Sequence, residues 1–159
     1  MFLFTPTFIL RHRRENLKKC SLRGLENRPD IRFFTYPKHS LPDLSGHVLL
    51  TLEAPPLSIL DQYLGLLLID SSWRYAATMY KQLPQPHLFQ TRSLPRELRT
   101  AYPRRQEDCT EPDRGLASIE ALYCAYRILE RDTTGLLDQY YWEEEFLKKN
   151  FEGLQGLTY

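Results

Sequence analysis

Glycine is scarce in this 159-residue sequence. None of the seven glycines stands in a GxGxxG or GxxxxGK[S/T] pattern, which excludes the two commonest glycine-rich phosphate cradles. HExxH and GxSxG are absent as well, so a helical zinc protease and a serine-hydrolase nucleophile elbow are also excluded. The three cysteines, Cys20, Cys109 and Cys124, are odd in number and form no CxxC. That argues against a disulfide framework and against structural zinc, and it points to a reducing, cytoplasmic compartment. The histidines His12, His39, His47 and His87 have no ligand spacing and read as surface or loop residues; no metal is expected. Long apolar runs are missing too. The opening MFLFTPTFIL is followed by its basic residues rather than preceded by them. It is therefore the wrong way round for a signal peptide and too short to span a bilayer, which predicts a first strand and no membrane partner.

What is present suits one globular domain. Apolar residues make up 42% and charged residues 26%, enough to build a core and too apolar for disorder. The net charge of +1 implies no partner by itself, but its distribution is uneven. Residues 11–38 hold nine basic and three acidic side chains, and residues 92–105 hold five arginines against Glu97. From 106 onward twelve acids face five bases. If the two basic segments meet in space they form a phosphate-binding surface; if they lie apart they are solvated faces.

Hydrophobic periodicity predicts alternating strands and helices. Strands are expected over 4–10, 31–36, 47–52, 64–70 and 88–92. The fourth, LGLLLID, lacks polar alternation, as a strand covered on both faces of a parallel sheet would. Helices are expected over 18–27, 73–82, 118–131 and about 134–151. The second places Trp73, Ala76, Ala77 and Tyr80 on one stripe, and the third places Ile119, Leu122, Tyr126 and Leu129 there, with Ser118 as N-cap and Glu120 in the first turn. The last puts Leu136, Tyr140, Leu147 and Phe151 on one face. Prolines at 84, 86, 95, 103 and 112 mark loops. The expected class is α/β, a mostly parallel sheet flanked by helices.

One local signal points to chemistry. Asp70, Ser71, Ser72 and Trp73 follow the buried strand directly, where ligands sit in open parallel sheets. An aspartate there is either a base whose pKa burial raises or a cap for the next helix. Cys20 adjoins Lys18 and Lys19, which would lower its pKa, but no general base for it is recognisable. Cys124, in mid-helix, reads as core.

Several segments resemble, in order, the S-adenosylmethionine-dependent aminocarboxypropyltransferases of RNA, chiefly the small-subunit rRNA enzymes and more distantly the DTW-domain tRNA-uridine transferases. Lys18-Lys19-Cys20-Ser21 resembles the family's Asp-Pro-Lys-Lys-Cys-Ser/Thr-Gly, and Leu57-Ser58 through Asp61 its Ser-Pro-x-Asp. Gly65 through Asp70-Ser71-Ser72-Trp73 is similar to Gly-x-x-x-x-Asp-Cys-Ser-Trp. Arg92-Ser93-Leu94-Pro95 with Ala101-Tyr102-Pro103 follows Arg-x-Leu-Pro…Ala-Asn-Pro. Leu116 through Ala121 resembles the Leu-Ser-x-x-Glu-Ala helix start, and Trp142 through Asn150 the family's ending. Departures are Ser71 for the family's Cys, Glu143 for its Gly, and an acidic run over 104–114 where the family has a short turn.

The resemblance implies a SPOUT-like fold with a C-terminal trefoil knot, in which residues 1–55 form a basic N-terminal part and 56–159 the cofactor-binding part of one domain. It implies S-adenosylmethionine as cofactor and substrate, held by Ser21, Leu50, Ser72, Trp73, Ala76, Leu94, Gly115, Leu116 and Ser118. Asp70 would be the catalytic residue, deprotonating or orienting N3 of a uridine or pseudouridine. Arg11, Arg13, Lys18, Lys19, Arg92 and Arg96 would hold RNA phosphates of rRNA or tRNA, with the protein working as a monomer in rRNA or tRNA processing and ribosome biogenesis. Two alternatives stay open: an RNA methyltransferase on a similar fold, and a non-catalytic RNA- or ribosome-binding module.

Overall fold

The strongest apolar segments form the middle of one sheet. A computed structural model describes residues 5–17, 20–38, 40–83, 89–103 and 115–157. Strands β1 (Thr7–His12), β2 (Ile31–Tyr36), β3 (His47–Leu50), β4 (Gly65–Asp70) and β5 (Gln90–Arg92) join in the order β2-β1-β4-β3-β5. Every pairing is parallel. β1 and β4 are therefore covered on both edges and both faces, which is why TFILRH and GLLLID carry almost no solvent-facing position.

Alternation still sorts their side chains. Ile9, Leu66 and Leu68 enter one core with α2 (Ser118–Ile128), and Phe8, Leu10 and Leu67 enter a second with Met79 of α1 (Trp73–Lys81). The α2 stripe of Ile119, Leu122, Tyr126 and Leu129 is buried as its period predicts. The α1 stripe is a correction. Met79 faces the core, while Ala77 and Tyr80 are exposed and Ala76 is half-buried. Small and amphipathic residues at helical spacing here mark a different surface, described below.

Boundaries moved where tertiary contacts outcompete local period. β1 starts at Thr7 and β3 ends at Leu50; residues 1–4 and 84–88 lie outside the described residues. No helix forms over 20–27. Successive turns occupy it instead, with Arg23 N–H on Cys20 C=O, Leu25 on Leu22 and Arg28 on Leu25. α2 stops at Ile128 because Glu130 takes a left-handed φ of 56°. Arg131 N–H then closes on Tyr126 C=O at 2.8 Å, a Schellman ending. The last expected helix is turns followed by α3 (Glu143–Lys149) and α4 (Phe151–Gln155). The break falls at Asn150, whose side-chain amide pairs with both N–H and C=O of Arg99 at 2.6 and 2.7 Å. Two histidines are also corrected: His12 and His47 are buried strand residues, stacked on Tyr75 and Phe8 at 4.1 and 4.2 Å.

Candidate functional site

The site grows from the register of β1 and β4. Arg11 and Asp70 are opposite residues on adjacent parallel strands, so their side chains leave the same face at the carboxyl edge of the sheet. Arg11 Nε donates to Asp70 Oδ2 at 3.1 Å. The Cys20 thiol donates to the same oxygen at 3.2 Å, and the Ser118 hydroxyl donates to Oδ1 at 2.9 Å. The Arg11 guanidinium also lies 3.5 Å from Glu26 and over the Phe33 ring at 4.5 Å. Asp70 thus does not cap α1, whose N-cap is Ser72. It ties together three segments remote in sequence.

The start of α2 is held by partners that sequence spacing does not reveal. Ala117, not Ser118, is the N-cap, and it has no side-chain acceptor to offer. Ser21 supplies one, its Oγ accepting at 3.2 Å from the N–H of Ile119, 98 residues later. Glu120 reaches back to Ala117 N–H at 2.7 Å. It also accepts from Thr100 hydroxyl at 2.6 Å, Ala101 N–H at 2.8 Å and Tyr140 hydroxyl at 2.8 Å, while fully buried. These bonds anchor the Gly115–Ser118 approach.

Beside this corner is a cavity of about 500 Å³ at the carboxyl ends of the strands, within the usual range for small-molecule sites. Its walls come from the end of β3 and the two residues after it (Leu49 to Leu52), from Ser71 and the Ala76, Ala77, Tyr80 and Lys81 face of α1, from Leu94 and Pro95 after β5, and from Gly115, Leu116, Ser118 and Ala121. Ala76, Ala77 and Tyr80 of the α1 stripe are therefore a cavity wall.

Of the residues anticipated for the cofactor, Leu50, Ala76, Leu94, Gly115, Leu116 and Ser118 line this one cavity. Ser21 stands behind it on Ile119, and Ser72 is exposed before α1, which Trp73 opens. Thr51, Leu52, Tyr80, Lys81 and Pro95 were missed; only proximity to the anticipated residues could have flagged them.

The basic side chains are less uniform than their clustering suggests. Arg11 is a correction: it is 8% exposed and committed to Asp70 and Glu26, so it is not a surface phosphate ligand. Arg92 is partly buried and pairs with Asp61 at 3.2 Å. Arg13 is exposed, as is Arg96, which pairs with Glu53 at 3.1 Å. Lys18, Lys19 and the acidic run 104–114 lie outside the described residues. Arg13 and Arg96 follow the carboxyl ends of β1 and β5, strands three spacings apart in the sheet, or roughly 14 Å.

Burial sets the protonation of the corner. It pushes the Cys20 thiol up to about 12, with Asp70 adding to the effect, the opposite direction to the lowering that adjacent lysines alone would give. Glu15, three residues beyond β1, is pushed up to about 7 by burial and then by the Asp70 charge, with Arg11 opposing. Glu15, Cys20 and Asp70 bring one ligand-type atom each within 4.8 Å of one another, and the cation already among them is the Arg11 guanidinium.

These features define an open, parallel α/β domain whose ligand-sized cavity lies beyond the carboxyl ends of its strands, where this architecture places its sites. The same fold occurs in the SAM-dependent rRNA:acp-transferase Tsr3 from Vulcanisaeta distributa, with a TM-score of 0.72 and 23% identity, over 96% of this chain and 82% of that chain. No protein-family model and no curated protein matches the chain. Among the described residues no helix is long and apolar enough to cross a membrane.

Proposed function

We propose that this protein transfers the 3-amino-3-carboxypropyl group of S-adenosylmethionine to N3 of a uridine or pseudouridine in structured RNA, rRNA or tRNA. The observation that carries the reading is the mostly apolar cavity walled by Leu50, Ala76, Leu94, Gly115, Leu116 and Ser118, which opens beside the Asp70 carboxylate through Ser118. The fold shared with an rRNA:acp-transferase supports it. So does the order of the segments that resemble that family.

In this reading Leu94, Gly115 and Leu116 flank the adenine, and the buried Gly115 offers backbone groups without a side chain in the way. Ser118 and Ser21 serve the ribose, Ala76, Ser72 and Trp73 the methionine portion, and Leu50 the apolar wall. S-adenosylmethionine is a substrate here: its sulfonium presents three carbons to attack, and the shape of the cavity selects one by geometry. Asp70 is the carboxylate around which the transfer corner is built, holding Ser118 at the cavity and Arg11 behind it. Because sulfur departs as a neutral thioether, the leaving group needs no metal. Exposed Arg13 and Arg96, with Lys18, Lys19 and Arg92, hold phosphates and set affinity more than base choice. The proposal includes the finer fold, SPOUT-like with a C-terminal trefoil knot and with residues 56–159 as the cofactor part. It also includes a cytoplasmic monomer acting in ribosome biogenesis.

A two-label assay tests it. Protein is incubated with small-subunit rRNA and unmodified tRNA, using S-adenosylmethionine labelled in the methyl group or in the carboxyl carbon. Carboxyl label in RNA without methyl label is the expected result. Methyl label would make it a methyltransferase; no label and no cofactor binding, with salt-sensitive RNA binding retained, would make it a binding module.

A further inference from the structure

Asp70 is poorly placed to meet an incoming nucleotide. It is 4% exposed, and its two oxygens already accept from Arg11, Cys20 and Ser118. The carboxylate beside it that reaches solvent is Glu15. The chain turns directly after β1, with Arg13 N–H on Tyr36 C=O and Glu15 N–H back on His12 C=O at 3.0 Å. This turn holds Glu15 half-buried over the carboxyl edge, with a carboxylate oxygen within 4.8 Å of Asp70 and of Cys20 Sγ. Its carboxylate accepts no hydrogen bond from the described residues, so its acceptor capacity is open.

We propose that Glu15 is a catalytic residue that takes the proton from N3 of the acceptor base, while Asp70 is a positioning residue that fixes Ser118 and Arg11. This rests on the transferase reading above. In the step, the N3–H bond breaks and its proton passes to a Glu15 oxygen. The nitrogen lone pair forms a bond to the sulfur-bound carbon of the aminocarboxypropyl arm. The bond from that carbon to sulfur breaks, and its electron pair stays on sulfur. A carboxylate and a sulfonium become a carboxylic acid and a thioether, so charge is annihilated and no further reactant is needed.

The electrostatics suit the role. An efficient base titrates near the working pH, and Glu15 is raised to about 7. The charged groups facing it among the described residues are Asp70 of β4 and Arg11 of β1, and Cys20 stays a neutral thiol. Arg11 is held by Asp70 and Glu26, which leaves Glu15 without an ion-pair partner of its own among those residues.

The test compares wild type, Glu15→Gln and Glu15→Asp by carboxyl-label transfer to small-subunit rRNA and tRNA from about pH 5 to 9. S-adenosylmethionine affinity is measured by calorimetry, and carboxyl-13C glutamate NMR is recorded on the protein alone. The wild-type rate should rise with pH through about 7. Glu15→Gln should be slower by about 10²–10⁴-fold and lose that inflection, with cofactor affinity unchanged because Glu15 does not line the cavity. Glu15→Asp should recover part of the rate, and one glutamate resonance titrating near 7 should vanish in Glu15→Gln. A Glu15→Gln enzyme with the wild-type rate and pH profile would overturn the inference, and so would a Glu15 resonance titrating near the ordinary value of about 4.3. If Glu15→Gln fails to bind cofactor, Glu15→Asp and the resonance decide. If wild type transfers no carboxyl label to either RNA, the transferase reading falls, and this inference with it.

Discussion

Glu120 has two carboxylate oxygens, and each serves one backbone N–H and one hydroxyl: Ala117 N–H and Thr100 on one, Ala101 N–H and Tyr140 on the other. Glu120→Gln keeps the shape and replaces one oxygen by an NH2. The hydroxyls can rotate to accept from it, but the backbone N–H groups cannot. Whichever way the amide is flipped, one buried N–H faces another donor. An unsatisfied buried donor costs about 1–3 kcal/mol, and the remaining bonds drop from charge-assisted to neutral strength. The combined loss is about 2–4 kcal/mol. With a urea m-value of about 1–3 kcal/mol/M, the unfolding midpoint should fall by about 1–2 M at unchanged m. Because Ala117 belongs to the cavity approach, affinity for S-adenosylmethionine should fall too. A midpoint shift under about 0.3 M would refute the reasoning, since the two oxygens would then not both be serving backbone donors.

Other outcomes follow from the same corner. Asp70→Asn should slow carboxyl-label transfer by about 10²-fold, since Asp70 sets the geometry of the reacting groups. It should also destabilise the fold by about 3–5 kcal/mol, since it breaks a buried pair and leaves Arg11 with Glu26 alone; denaturant curves and the label assay read the two effects separately. Cys20, buried with its pKa raised to about 12, should resist alkylation by iodoacetamide at pH 8 and react once urea unfolds the chain, as read by peptide mass spectrometry; fast labelling of Cys20 in the native protein would contradict that. Glu15 gives a signed pH dependence. Its folded pKa of about 7 exceeds the unfolded value of about 4.3, so the native state binds the extra proton between them. Its stabilising contribution is fully present below about 4.3 and lost as pH rises through 7. Glu15→Gln should therefore be the more stable protein at pH 8, by about 1–2 kcal/mol after allowance for solvent screening, and equal stability there would count against the buried charge.

Much of the scaffold is written locally. The unbroken LGLLLID run predicts a strand covered on both faces, and the 3.6-residue stripe of Ile119, Leu122, Tyr126 and Leu129 predicts the buried side of α2. Burial leaves its period in neighbouring residues, so composition and spacing suffice. The place of Asp70, at the carboxyl end of that strand where open parallel sheets hold their sites, was legible for the same reason. Its partners were not. Arg11 reads as one more member of a basic cluster, and only the β1–β4 register turns it into the buried counter-ion of an aspartate 59 residues away. The stripe on α1 reads as core until packing assigns the core to Met79 and Ala76, Ala77 and Tyr80 to the cavity. Ser21 caps a helix 98 residues later, and Asn150 breaks the last helix for the sake of Arg99. By itself, then, the sequence determined which segments are strands or helices, which faces hold the apolar weight, and the family the ordered motifs resemble. The tertiary structure alone decided which charges meet, which hydroxyl serves which backbone donor, and that Glu15 stands beside Asp70. Pairings between distant segments depend on strand order and register, which no local period encodes.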